Sequence, residues 1–246
     1  MSMIRKSPLG RFLARNPFER GPTDGLFYRE KMRAIHRVAP DLLDGPILEI
    51  GGGRSGMASF LYPEADIVTL DIDPSFADQQ PASSRSRFVC GDARKLPFDD
   101  GAFAVVTLFD VLEHIEEDHL AAHEAMRVTR PGGYILVSTP NADWHYPYYA
   151  AMRRFCPPEK ALMDEWGHVR RGYERPNLIG LFGQTPDAIS SFINPVTAFY
   201  HDVAFSTLSP RKRKLLYAAA ALPTAMAYLL HRPSTPGTET AFRWRR

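Results

Sequence analysis

Three glycines spaced Gly51-x-Gly53-x-x-Gly56 directly follow the apolar run Ile47-Leu-Glu-Ile50. Glycine at such a turn lets the backbone approach a ligand closely, which a side chain would prevent. The spacing alone also fits the dinucleotide fingerprint of a nicotinamide enzyme, so it does not choose a cofactor. Asp71 stands twenty residues beyond Gly51, at the end of the next apolar run. A carboxylate there can accept hydrogen bonds from both hydroxyls of a ribose, so loop and carboxylate together point to a nucleoside-containing cofactor. Further on, Asp110-x-x-Glu113-His114 offers the residue types of a hard-metal site. The more usual role for such a pair is to cap a helix and pack near the cofactor, and no metal is assigned.

These groups need a framework to hold them. Strand-like runs at 47–50, 67–70, 87–90, 102–109 and 134–138 alternate with helical segments at 27–38, 56–62 and 117–128. Helical crossovers between strands predict a parallel sheet covered on both faces, the doubly wound α/β class. In the second half, 177–182 reads as a short helix, 188–193 as a sixth strand and 238–244 as a seventh. The result is a mostly parallel, seven-stranded, Rossmann-like sheet. Residues 141–176 are rich in aromatics, prolines and histidines without a stable period, which suits a lid facing the substrate. An apolar, alanine-rich helix at 211–232 reads as an insertion before the last strand. The expected organisation is a basic N-terminal extension, 1–26, followed by one domain, 27–246.

The remaining strand ends narrow the choice. Gly91-Asp92-Ala93 follows the third strand, and the fourth ends in Phe109-Asp110-Val-Leu-Glu-His114. With ILEIGGG, LDID, GDARKLPFDDGAFAVV, DVLEHI and RPGGYILVSTPN in that order, the chain resembles the class I S-adenosylmethionine-dependent methyltransferases. The likeness is close over 47–141 and looser elsewhere. It implies S-adenosyl-L-methionine as the cofactor. It further implies that Glu49 and the turn at Gly51 and Gly53 hold the methionine end, Asp71 the ribose hydroxyls, and Ile72 one face of the adenine. Asp92 and Ala93 would then meet the adenine amino edge, and Asp110 and Leu112 would lie beneath the methionine moiety. Gly52 stands where the family varies, and Arg54 follows the glycines; neither departure disturbs the reading.

Methyl transfer of the kind implied is an in-line displacement from an activated sulfonium. The protein has only to align a nucleophile and remove its proton, a task that suits histidine. The candidates are His168, His145 and His114. His168 is preferred, because Glu165-Trp-Gly-His-Val-Arg-Arg-Gly-Tyr173 is similar to a Gly-His-Val-Arg segment in family members acting on glycans, lipids and natural products. Trp144, Tyr146, Tyr148 and Trp166 either line an aromatic acceptor pocket or form the lid's own core. The expected reaction is O-methylation of a small-molecule, sugar- or lipid-linked acceptor. The alternatives are an NAD-dependent oxidoreductase, supported only by the loop and Asp71, and a cofactor-binding regulator without catalysis. Nucleic acid is disfavoured as a substrate: Asp110-Val-Leu-Glu stands where base-amino methyltransferases carry an Asn/Asp-Pro-Pro-aromatic tetrad.

Composition sets the outer bounds. The 246 residues, 44% hydrophobic and 24% charged, exclude a collagenous, coiled-coil or wholly disordered chain. Two cysteines, Cys90 and Cys156, are too few for a disulfide framework or a four-cysteine zinc site, so a reducing compartment is expected. The net charge of +2 hides basic ends, +4 over residues 1–20 and +7 over 205–246, which leave −9 between them. Basic ends on an acidic body suit an anionic surface. With no secretory signal in the sequence, the expected location is cytoplasmic, peripheral at the inner membrane face. The apolar run 215–230 is shorter than the roughly 20 residues a spanning helix needs, and it contains Pro223. It is therefore expected to make a peripheral membrane contact, or to pack on the body or on a second subunit of a homo-oligomer.

Overall fold

The computed structural model describes residues 3–17, 24–53, 56–79 and 85–246. Arg54, and residues 1–2 and 18–23 of the N-terminal extension, lie outside that set. Within the extension, β1 (Ile4–Arg5) pairs antiparallel with β2 (Leu42–Leu43), and helix α1 (Leu9–Leu13) buries Phe12 completely. Lys6 donates to the carbonyls of His36 (2.7 Å) and Ala39 (2.8 Å) at the C-terminal end of α2 (Asp24–Val38). A cation at that end satisfies carbonyls that the helix itself leaves unpaired.

The main sheet is built from β3 (Ile47–Ile50), β4 (Ile67–Asp71), β5 (Ser86–Cys90), β6 (Phe103–Phe109), β7 (Thr129–Pro140), β8 (Ala188–Phe192) and β9 (Glu239–Arg245), in the order β5-β4-β3-β6-β7-β9-β8. β3 sits beside both β4 and β6, with Ile47 opposite Ile67 on one side and Val105 on the other. The first five strands in this order run parallel, and β9 runs antiparallel to β7 and β8. Alternation along the apolar strands divides the core by face. Leu48, Val106, Ile135 and Val137 pack on one face with α4 (Asp118–Val128) and α6 (Arg175–Phe182). Ile47, Val105 and Leu136 pack on the other with α2 and α3 (Met57–Leu61).

Two elements differ from expectation. β7 begins at Thr129 rather than 134, because Thr129 pairs with Phe103 before a register shift. Gly132, at φ +77°, carries the chain through the bend and donates to Arg246 O at 2.6 Å. Helix α7 (Pro195–Ala204) has no counterpart in the sequence reading, although its start is marked: Asn194 Oδ1 accepts from the backbone N–H of Val196 and Thr197, and Pro195 opens the first turn.

In the segment 141–176, α5 (Glu159–Trp166) contributes Leu162 to a small core with Trp144 and Tyr146. Arg170 ties this segment to the chain after β6 by donating to the carbonyls of Leu112, Ile115 and Glu116. The alanine-rich segment forms α8 (Pro210–Leu230), inserted between β8 and β9.

Candidate active site

A cleft of about 770 Å³ opens at the C-terminal ends of β3, β4, β5 and β6. Its floor is the turn that follows β3, where Gly51 donates to Leu70 O at 2.8 Å and both Gly51 (φ +64°) and Gly53 (φ +47°) are left-handed. A Cβ on Gly51 would lie 2.5 Å from a methyl of Val111, so only glycine fits there. A Cβ on Gly53 would meet nothing within 4 Å, which leaves that side of the turn open to the cleft. Glu49 does not line the cleft. It is buried beneath the turn, where Oε1 accepts from Ala58 N–H (3.0 Å) and Oε2 has no partner, and burial pushes its pKa up to about 7.

Asp71 ends β4 with Oδ2 accepting from Gly53 N–H (3.2 Å) and Oδ1 from Asp73 N–H (3.1 Å). Each oxygen keeps a further lone pair for the cleft. Beside it Ile72 is 71% exposed, an apolar side chain on the rim free to cover a flat ring. Asp92 and Ala93 line the far end. Arg94 pairs with Asp92 at 2.7 Å and holds its carboxyl below the usual range, and it also reaches Glu117 at 2.6 Å. Leu112, which the family resemblance puts beneath the methionine moiety, is fully buried in the core and does not line the cleft. The donor set fits S-adenosylmethionine: an open glycine cradle, a two-oxygen acceptor, and an apolar rim.

Asp110 is the hinge of the site. It adopts φ +54°, unusual for a non-glycine residue, accepts from Ser138 Oγ at 2.6 Å, and pairs with Lys31 of α2. It lines the cleft and also a second cavity of about 570 Å³, walled by Phe27, Tyr28, Phe205 and Tyr217 with His201 and Glu239. Burial, reinforced by Asp110, pushes the Glu239 carboxyl up to about 8. Burial alone draws His201 down to about 4. Lys31, His201 and Glu239 were absent from the sequence reading; the Asn194-Pro195 helix start was the available signal for His201.

The expected histidines fall in three places. His114 lines the cleft, and its Nδ1 lies 3.2 Å from Gly167 O. His168 packs edge-on against His114, with ring centres 4.6 Å apart and Nδ1 buried without a partner. Burial, then the neighbouring His114, draws His168 down to about 4. His145 is exposed, lines neither cavity, and contacts the carbonyls of Asp143 and Tyr148. Among the described residues, Glu113, His114 and His168 bring ligand atoms within 4.8 Å of one another. Of the lid aromatics, Trp144 and Tyr146 are buried in the lid's core, while Trp166 reaches the cleft wall.

Comparison with known proteins agrees with this geometry. Residues 48–137 match the family described as "Methyltransferase domain". A demethylmenaquinone methyltransferase of Renibacterium salmoninarum is 31% identical over 110 residues, 44% of this chain and 44% of that protein. A probable phthiotriol/phenolphthiotriol dimycocerosates methyltransferase 2 of Mycobacterium ulcerans is 33% identical over 129 residues, 47% of this chain and 50% of that protein. The matched stretch thus spans half or less of each of these relatives. A solved S-adenosylmethionine-dependent methyltransferase of Thermotoga maritima, described as a possible histamine N-methyltransferase, shares the fold at a TM-score of 0.58 and 15% identity over 89% of both chains. Strand order, cleft and matches identify residues 48–137 as a class I S-adenosylmethionine-dependent methyltransferase domain. S-adenosyl-L-methionine is the cofactor of that class, and nicotinamide chemistry is not favoured.

Proposed function

We propose that this protein transfers the methyl group of S-adenosylmethionine to an oxygen of a small-molecule, sugar- or lipid-linked acceptor. The observation that supports this most is that the cleft and the second cavity share Asp110. A donor held in one and an acceptor held in the other would meet there. In the cleft, Asp71 takes the ribose hydroxyls, Ile72 covers the adenine, Asp92 and Ala93 meet its amino edge, and the turn at Gly51 and Gly53 receives the methionine end. When bound, S-adenosylmethionine supplies a methyl group already activated on a sulfonium. The chain's own residues align the acceptor, exclude water and remove one proton.

Within the second cavity burial pushes the Glu239 carboxyl up to about 8, which favours a protonated acid able to donate a hydrogen bond to an acceptor molecule. His201 is neutral above about pH 4 and is the proton acceptor in this reading, ahead of His168, because His201 lines the second cavity and His168 lines neither cavity. The aromatic walls suit an apolar acceptor, and the names of the two relatives above are compatible with one. A cytoplasmic location at the inner membrane face belongs to the same reading. Among the described residues, no helix is long and apolar enough to cross a membrane.

The test is to incubate the protein with methyl-labelled S-adenosylmethionine and a cell lipid extract. Label should enter an organic-soluble product with the methyl on oxygen, and His201→Gln should lower turnover about 10²–10⁴-fold. Label on nitrogen or carbon overturns oxygen transfer. A rise in melting temperature with NAD but not with S-adenosylhomocysteine overturns the cofactor. Normal turnover in His201→Gln, with loss in His168→Gln, moves the base to the lid.

A further inference from the structure

Helix α8 packs one face on the body and leaves an apolar face uncovered. On the inner face Arg213 donates to Ala204 O (3.0 Å) and Leu208 O (2.9 Å), Tyr217 stacks on Tyr200, and Thr224 is buried. Near its end, Tyr228 lies under the Arg33 guanidinium at 3.9 Å. The outer face carries Leu215, Leu222, Met226, Leu229 and Leu230, whose spacings of seven, four, three and one residues put all five on one side of the helix, 50–74% exposed. A helix on the surface of a soluble body ordinarily turns polar residues outward, and this one has no charged side chain from Leu215 to Leu230. Contiguous exposed apolar surface of this kind marks an interaction site.

Charge says what covers it. Arg211, Lys212 and Lys214 are exposed in the first turns of α8, the end where the helix dipole favours cations least. Exposed Arg153 and Arg154 belong to the adjoining segment, which Thr207 N–H fixes through Phe155 O at 2.7 Å. No acidic residue occurs between Asp202 and Glu239 to neutralise them. An apolar stripe beside an unbalanced basic cluster is complementary to an anionic lipid surface.

We propose that the outer face of α8 docks on an anionic phospholipid bilayer, with the leucines among the acyl chains and the basic cluster at the headgroups. The 21 residues of α8, about 30 Å at 1.5 Å each, then lie along the membrane plane. Arg213 and Tyr217 of the same helix wall the second cavity, so docking brings that cavity beside the bilayer surface. A lipid-linked acceptor would reach it without leaving the membrane. That last consequence rests on the methyl-transfer reading; the docking itself does not.

The experiment is flotation of the full chain, without cofactor, with vesicles of phosphatidylcholine alone and of phosphatidylcholine mixed with phosphatidylglycerol. Binding is expected only to the mixed vesicles. Neutralising Arg211, Lys212 and Lys214 to glutamine should weaken partition about a hundredfold, from roughly 1 kcal/mol per basic residue. Leu222→Glu with Leu229→Glu should abolish binding while leaving the melting temperature unchanged, since both side chains are exposed. Absence of binding to the mixed vesicles overturns the proposal, as does binding that survives both sets of substitutions. A lipid-free dimer dispersed by the leucine variants would make this face a subunit interface and overturn it equally.

Discussion

Lys31, in the wall of the second cavity, pairs with Asp110, which lines that cavity and the cofactor cleft alike. Burial works against the lysine's charge, but the Asp110 carboxylate outweighs it and holds the ammonium above the ordinary lysine range. The side chains are 13% and 30% exposed, so the pair is shielded without being sealed from water. Lys31→Met would leave Asp110 facing the carboxyls of Glu113 and Glu239 with no cation to balance it. Losing one partner of a fully buried pair costs about 3–5 kcal/mol, and partial exposure brings the expected loss here to about 2 kcal/mol. Urea denaturation reads it, and Asp110→Asn in the Lys31→Met background should restore part of the stability. No change in Lys31→Met would mean that water already carries the pair.

Asp71 both braces the glycine turn and presents its remaining lone pairs to the cleft. Asp71→Ala should weaken S-adenosylhomocysteine binding by about 1.5–3 kcal/mol, the range for hydrogen bonds to a charged group. Calorimetric titration gives the affinity directly. Equal affinity in variant and wild type would place the ribose contacts elsewhere.

The cleft was legible because its parts obey local rules. A strand that ends in glycines, and carboxylates at successive strand ends, are each set within a few residues of sequence, and Gly51, Asp71, Ile72, Asp92, Ala93 and Asp110 all line the cleft. The second cavity obeys no such rule. Lys31, His201 and Glu239 come from α2, α7 and β9, and they meet Asp110 only because a sheet with β9 inserted beside β7 brings those elements together. Nothing near Lys31 in the sequence marks a partner 79 positions away. His145 misled for the opposite reason: a histidine among aromatics reads as pocket-like, yet its ring stacks on Tyr148 at the surface of the lid.

Glu49 predicts a pH dependence of stability. Its pKa in the folded chain is about 7 against an ordinary 4.5, so folding favours the protonated form. The contribution is present in full below about 4.5, and it is lost as pH rises toward 7, a change of about 3 kcal/mol. Glu49→Gln cannot ionise, and its amide can retain the bond from Ala58. The wild type should therefore lose stability relative to Glu49→Gln across that window and run parallel to it above. Melting curves of both proteins across the window decide the matter, and a constant difference would show that the carboxyl ionises freely.

Glu113, His114 and His168 pose the last question, whether a cation or a proton fills the space between them. Glu113 Oε1 and His168 Nδ1 are both buried without a partner, and the three side chains bring ligand atoms within 4.8 Å of one another. A divalent ion would need the Glu113 carboxylate ionised. Burial, and then the neighbouring Asp110, push that carboxyl well above its ordinary range, which favours the protonated acid over the carboxylate that a cation requires. A protonated Glu113 beside a neutral His168 needs no metal, because the acid can donate where the imidazole accepts. Chelator treatment should therefore leave turnover unchanged, and Glu113→Gln, whose amide donates as the acid does, should fold and turn over close to wild type. Activity lost to chelator and restored by magnesium, together with an inactive Glu113→Gln, would replace the proton with a metal.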